Sequence, residues 1–158
     1  MTKTSQSGGC QCGAVRYRVE AFGRASICHC RMCQKAFGGF YGPLVATQGL
    51  VWTRGRPKHF HSSNRNWRGF CEQCGTPLTY EFEGGVEVAI GTLDDPTLAP
   101  PTVQINCADM LPFTDGLHAL PETEPALAAG DAEWNAGVVS RQHPDHDTET
   151  WPPEKNDG

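Results

Sequence analysis

The sequence predicts a mostly β domain of short strands with little helix, and three observations carry that prediction. Gly and Pro number 18 and 12 in 158 residues, a density of turn formers that breaks the chain into short elements and disfavours a helical bundle. Apolar and polar residues alternate in several stretches, the period of a half-buried strand. Only two short segments carry helix signals. At 158 residues the chain is one domain's length, long enough to bury a real core.

Taken in order, residues 1–9 read as a flexible tail. Val15, Tyr17 and Val19 alternate with Arg16, Arg18 and Glu20, predicting a strand. Ala25 to Cys28 suits a second one. Gln34 to Phe37 can form one helical turn, stopped by Gly38-Gly39. Phe40 to Trp52 is apolar and β-rich, and Pro43 in it argues for an edge or a bend. A turn at Arg54-Gly-Arg-Pro57 leads into the alternating Lys58-His-Phe-His-Ser62. Leu78–Phe82 and Val86–Ile90 make a hairpin across Glu83-Gly-Gly85, and Thr102–Cys107 adds a strand, for six to nine in all. The domain spans residues 10–120. Residues 121–139 form a peripheral segment with a short helix over Ala126–Trp134. Residues 140–158 are polar, acidic and Pro-containing, a mobile tail in which His143 and His146 are solvated.

The net charge is −5 but unevenly spread. Residues 1–70 hold eleven Lys and Arg against Glu20 alone, while residues 71–158 hold Arg141 and Lys155 against 17 acids. Such a split marks either an acidic-ligand face or two halves that neutralise each other. No apolar run approaches the ~20 residues of a membrane span. The N-terminus has no apolar stretch of a signal peptide, so the expected compartment is the cytoplasm, where disulfides are disfavoured.

Seven of the eight cysteines therefore read as metal ligands. Cys10-Gln-Cys12 and Cys71-Glu-Gln-Cys74 are tight pairs, and Cys28-His-Cys30-Arg-Met-Cys33 is a tight triple. Close thiols on a knuckle suit a tetrahedral thiophilic metal, whereas bridging Cys-x-Cys is strained. Seven thiols divide as four and three. The two pairs can form a closed four-thiolate zinc site that shuts a long loop and holds the fold. The triple can form a three-thiolate site with one open position. Two other pairings compete: Cys10 and Cys12 with two of the triple, or Cys107 as fourth ligand to the triple. Otherwise Cys107 is a small buried hydrophobe. Arg16, Arg18, Arg31 and Lys35 can offset thiolate charge.

The segments Gly8-Gly-Cys-Gln-Cys-Gly-Ala-Val-Arg-Tyr17, Cys28-His-Cys-Arg-Met-Cys-Gln-Lys-Ala-Phe-Gly-Gly39, Phe70-Cys-Glu-Gln-Cys-Gly-Thr-Pro-Leu78 and Ile90-Gly-Thr-Leu-Asp-Asp-Pro96 together carry a resemblance. In order and spacing the chain resembles the glutathione-dependent formaldehyde-activating enzyme family, which includes centromere protein V-like domains, across residues 8–96 and more loosely to about 120. The stretch Gln104 to Phe113 departs from the family pattern, which has His and Trp nearby. The resemblance implies a β-tent fold with two zinc ions per chain. It implies a structural ion on Cys10, Cys12, Cys71 and Cys74, and a catalytic one on Cys28, Cys30 and Cys33. It also implies the joining of formaldehyde and glutathione as S-hydroxymethylglutathione, a carbon–sulfur lyase reaction run in reverse.

An open three-thiolate zinc deprotonates a bound thiol. The thiolate then attacks a neighbouring aldehyde with the advantage of proximity. Three anionic ligands weaken zinc as a Lewis acid, which disfavours carbonyl activation as the alternative. Glutathione carries two carboxylates, so a basic rim helps it dock. Arg31 and Lys35 are nearest the triple, with Arg54, Arg56, Lys58, Arg65 and Arg68 as further candidates. His29, between two ligands, is a candidate proton shuttle. The plainer alternatives are surface charge for the cations and an outward-pointing side chain for His29. Against an enzyme stand a zinc-stabilised binding module, a glutathione carrier and a redox-sensing thiol protein. Nucleic acid is not the expected partner, because the aromatics sit at alternation positions rather than interleaving with basic residues on one element.

Overall fold

The chain folds as two antiparallel-dominated sheets with few helices, in a computed structural model that describes residues 5–152. The ten strands among the described residues are β1 (Gln6–Gly9), β2 (Arg16–Val19), β3 (Ala21–Cys28), β4 (Gly42–Gln48), β5 (Val51–Arg54), β6 (Lys58–His61), β7 (Asn66–Phe70), β8 (Pro77–Phe82), β9 (Gly85–Ala89) and β10 (Val103–Ile105). The helices among the described residues are α1 (Arg31–Phe37) and α2 (Pro125–Ala136), with short 3-10 segments between β9 and α2, the longest Thr114–Ala119. The smaller sheet has the order β1-β2-β5 and the larger β10-β3-β4-β9-β8-β7-β6. The mostly β class expected from the sequence is the class observed.

Alternation sets the core. Tyr17 and Val19 of β2 are wholly buried while Arg18 between them is exposed. They pack with Val45, Leu78 and Val88 from the larger sheet. Tyr17 meets Trp52 edge-on at 5.9 Å, and its hydroxyl is hydrogen-bonded to Thr92 Oγ1 at 2.8 Å. The β8–β9 hairpin closes through Glu83-Gly84, with Gly84 at φ 90°, the positive φ that a type II turn requires at its third residue. Pro43 sits in β4, a central strand. Its pairing with β9 begins only at Leu44, so Pro43 occupies a local edge where no ladder donor is needed.

Two segments differ from expectation. Residues 6–9, expected in a flexible tail, form β1, paired with β2 in register Gln6 to Val19. A Cβ at Gly8 would run into Tyr17 and Thr92, and one at Gly9 into Val15 and Arg16. These glycines permit close sheet packing rather than flexibility. Residues 1–4 of that segment and 153–158 of the C-terminal one lie outside the described residues.

Residues 140–152, expected in a mobile tail, pack on β2 and the Cys10–Cys12 turn without regular structure. His143, expected to be solvated, is 4% exposed. Its amide donates to Gln11 O at 2.7 Å, and Trp151 Nε1–H donates to Cys12 O at 2.6 Å. Asp147 bridges Arg16 and Arg18 at 2.9 and 2.7 Å. The physical reason is charge: the acidic end of the chain meets arginines of its basic half. α2, by contrast, exposes Leu127 and Trp134 at 64% and 77%.

Candidate metal centres

Two clusters of cysteine sulfurs can each hold a metal ion. Cys10, Cys12, Cys71 and Cys74 bring their Sγ atoms within 4.8 Å of one another, and so do Cys28, Cys30 and Cys33. The four-and-three division is therefore the one the fold builds, and Cys107 joins neither cluster.

The four-sulfur cluster lies between the β1–β2 and β7–β8 turns. Each turn closes on its first cysteine: the Cys10 amide donates to Val15 O and the Cys71 amide to Thr76 O, both at 3.0 Å. Each carries a left-handed glycine after its second cysteine, Gly13 at φ 78° and Gly75 at φ 77°. The Gln11 amide donates to Thr76 Oγ1 at 3.0 Å and ties the two turns together. Cys10 Sγ is 3.6 Å from Cys12 Sγ, which is 3.9 Å from Cys71 Sγ. Four thiolates at about 2.3 Å from a tetrahedral ion stand about 3.8 Å apart, whereas a disulfide needs about 2.05 Å. The spacing fits metal ligation and is consistent with zinc. Burial pushes the Cys10, Cys12 and Cys71 thiols up. Burial acts on Cys74 too, but hydrogen bonds from the Thr76 hydroxyl and amide outweigh it and draw the thiol down to about 6.

The three-sulfur cluster is built on the β3–α1 junction. Cys28 ends β3 and Cys30 caps α1, its Sγ accepting the Cys33 amide at 3.4 Å. Cys33 follows one turn on, so a single short segment supplies all three sulfurs. Cys28 and Cys33 are buried and Cys30 is half-buried, leaving one side of the cluster toward the surface. Asn106 Nδ2–H donates to Cys28 Sγ at 3.2 Å, and Arg68 Nη2–H to Cys33 Sγ at 3.4 Å. Burial opposes ionisation of Cys28, yet hydrogen bonds from the Cys30 amide and Asn106 win and lower its pKa. At Cys33 burial wins over Arg68, and the thiol is pushed up to about 12.

Beside this cluster runs a groove of 390 Å³ between α1 and strands β6 and β7. Arg31, Met32, Lys35, Phe60, Ser62 and Arg68 line it. Met32 and Phe60 are 52% and 63% exposed and give it an apolar wall. None of its three cations is paired with a carboxylate among the described residues, although other arginines of the basic half are: Arg16 with Asp94 and Asp147, Arg18 with Asp147.

The chain belongs to the glutathione-dependent formaldehyde-activating enzyme family. The family matches residues 5–109, which hold all seven clustered cysteines. No curated protein matches the chain. The clasp formed by residues 140–152 lies outside the matched region.

The structure brings Arg31 and Lys35 to the groove, with Arg31 Nη1–H also donating to Gln34 Oε1 at 2.9 Å. It does not bring His29 there. His29 is wholly buried, its Nε2 2.8 Å from Gln104 Oε1 and its ring edge-on to Tyr41 at 5.9 Å. Its Nδ1 has no hydrogen-bond partner among the described residues. The side chain neither points outward nor lines the groove; it anchors the knuckle to β10. Cys107, expected to be buried, is exposed. It begins a 3-10 turn after Asn106, whose left-handed backbone swings the chain off the sheet edge. His59 and His61 lie on β6, all of whose residues are exposed, and are hydrogen-bonded to Glu81 and Trp67. Asn106 and Phe60 escape sequence reasoning, because their partners are 78 and tens of residues away. The one available signal at Asn106 is the tolerance of Asn for left-handed backbone.

No helix among the described residues is long and apolar enough to cross a membrane.

Proposed function

We propose that the chain condenses glutathione, or a related small thiol, with formaldehyde or a related aldehyde, using two zinc ions per chain. The observation that carries this is the three-sulfur cluster: all its ligands come from one short turn, one sulfur is half-exposed, and an unpaired cationic groove adjoins it. Cys10, Cys12, Cys71 and Cys74 hold the structural ion in this reading, and Cys28, Cys30 and Cys33 the catalytic one. Zinc at the latter site supplies an open coordination position that favours the thiolate form of an incoming thiol.

The chain's own residues then bind and orient. Arg31 and Lys35 at the rim attract the carboxylates of the thiol substrate, and Met32 and Phe60 cover its backbone. Arg68 stands between this groove and Cys33. Holding sulfur and aldehyde carbon side by side converts a bimolecular encounter into a local one. The sulfur–carbon bond forms, the carbonyl oxygen takes up a proton, and the thiol's proton has left to solvent. His29, wholly buried, serves as an anchor in this reading. The thiolate clusters require a reducing compartment, which supports the cytoplasm.

Titration calorimetry with glutathione tests the reading. Wild type gives a binding heat and Cys33→Ser gives none while retaining the structural metal. No heat in either protein refutes it. Heat without accelerated adduct formation favours a glutathione carrier over an enzyme.

A further inference from the structure

The three sulfurs of the second cluster are not equivalent. Cys28 Sγ accepts the Asn106 amide group and Cys33 Sγ accepts the Arg68 guanidinium. Cys30 Sγ receives the Cys33 backbone amide of its own helical turn, and no side-chain donor among the described residues.

Both donors are held at some expense. Asn106 is the single non-glycine residue with positive φ among the described residues, at 55°. That backbone conformation is costly for most side chains and least so for Asn. The parallel pairing of β10 with β3 sets Ile105 opposite Cys28, and the turn at Asn106 then brings its amide onto the Cys28 sulfur. Arg68 is 8% exposed. Its Nε–H donates to Ser62 Oγ at 3.0 Å and its guanidinium lies over Tyr80 at 5.0 Å. It has no carboxylate partner among the described residues. A buried guanidinium without an anion is unfavourable, and the nearest group that can carry a negative charge is the Cys33 sulfur, which becomes a thiolate on ligating a metal.

We propose that Asn106 and Arg68 are positioning residues that tune the three-cysteine centre for a fourth, anionic sulfur. The proposal rests on the metal reading of that cluster. The side-chain amide added at Cys28 and the charged guanidinium at Cys33 withdraw more electron density than the single backbone amide on Cys30, and leave Cys30 as the strongest donor. A divalent ion with three thiolates carries a charge of −1, which opposes an incoming thiolate. The Arg68 charge brings the assembly to neutrality, so that a bound thiolate leaves it at −1 rather than −2. The substrate class selected is a thiol that binds ionised, rather than a neutral carbonyl.

Cobalt spectroscopy on the full chain tests this. Zinc in the three-cysteine cluster is removed with a mild chelator and replaced by cobalt, leaving the four-cysteine cluster loaded. Asn106→Gly keeps the left-handed backbone and deletes the amide, and Arg68→Met deletes the charge at similar volume. Both variants are expected to bind one cobalt there with unchanged tetrahedral bands and with the sulfur-to-cobalt charge-transfer band moved to longer wavelength. Arg68→Lys falls between Arg68→Met and wild type. Addition of glutathione perturbs the band in wild type at lower concentration than in Arg68→Met. Bound cobalt with unmoved bands overturns the proposal. So does loss of cobalt from a variant with wild-type circular dichroism, since that makes the group a holder rather than a tuner. If Asn106→Gly does not fold, the two Arg68 variants decide. Failure of wild type itself to take cobalt into this cluster refutes the metal reading instead.

Discussion

Replacing Asp147 by Ala tests how residues 140–152 are held, and the structure sets the size of the effect. Asp147 Oδ1 accepts from Arg16 Nε and Nη2 at 3.1 and 2.9 Å, and Oδ2 accepts from Arg18 at 3.0 and 2.7 Å. Arg18 is 54% exposed, so its half of the bridge contributes about 0–1 kcal/mol. Arg16 is 3% exposed, but after the substitution it keeps a bidentate pair with Asp94 at 2.8 and 2.6 Å. No buried charge is stranded, and the total loss is about 1–2 kcal/mol. In a chain of this size that lowers Tm by about 2–8 °C. Asp94→Ala differs in kind. It removes the more buried carboxylate with its bidentate pair to Arg16 and its bond from Ser7, leaves Arg16 only the more exposed Asp147, and costs about 2–4 kcal/mol. Two assays read the difference. Thermal unfolding of the zinc-loaded protein ranks the variants, with Asp94→Ala the less stable. Limited trypsin digestion reads the clasp itself, because Arg141 is the only Lys or Arg between residues 71 and 152. Cleavage there accelerates in Asp147→Ala at temperatures where the core is folded. An unchanged Tm with unchanged Arg141 cleavage, or an Asp147→Ala as damaging as Asp94→Ala, refutes the clasp.

Further outcomes follow from the same structure. Cys71→Ser is expected to unfold the chain and Cys30→Ser to leave a folded, inactive one, read by circular dichroism and adduct formation; equal phenotypes contradict the two roles. Gly13→Ala combines a φ of 78° with a Cβ placed in the His143 ring, and should cost upwards of about 1–2 kcal/mol and speed metal loss from the four-cysteine cluster. Burial holds the His143 pKa below its ordinary value, so its contribution is whole above about pH 6.5 and declines as pH falls below that. Burial would raise Asp147, but Arg16 and Arg18 outweigh it and hold it low, so its share persists to below about pH 3.9 and goes last. The Tm difference between wild type and His143→Gln therefore narrows from pH 7.5 to pH 5; a constant difference contradicts this. Lys35→Glu on the exposed face of α1 should raise the glutathione KM roughly 5–10-fold, about 1 kcal/mol, with Tm unchanged.

The cysteine clusters were the most legible part of the site, because ligands two or three residues apart must share a knuckle whatever surrounds them. Alternation at Val15, Tyr17 and Val19 likewise marked a strand, since period two has few other uses. What the sequence hides is contact between distant elements. Nothing near Cys28 points to Asn106, and Arg68 was one cation among many until β7 placed it on Cys33. His29 sits in the motif but faces β10, because the backbone at a knuckle fixes ligand direction and leaves the intervening residue to packing. The tail around His143 misled by composition: Pro and acidic residues argue against helix and strand, but not against docking of an irregular segment onto arginines.

Metal analysis with timed chelation tests the central claim most directly. The account predicts two zinc ions per chain, one removed rapidly by a mild chelator and protected by glutathione, the other released only on unfolding. A single ion, or two that resist chelation equally with and without glutathione, would contradict it.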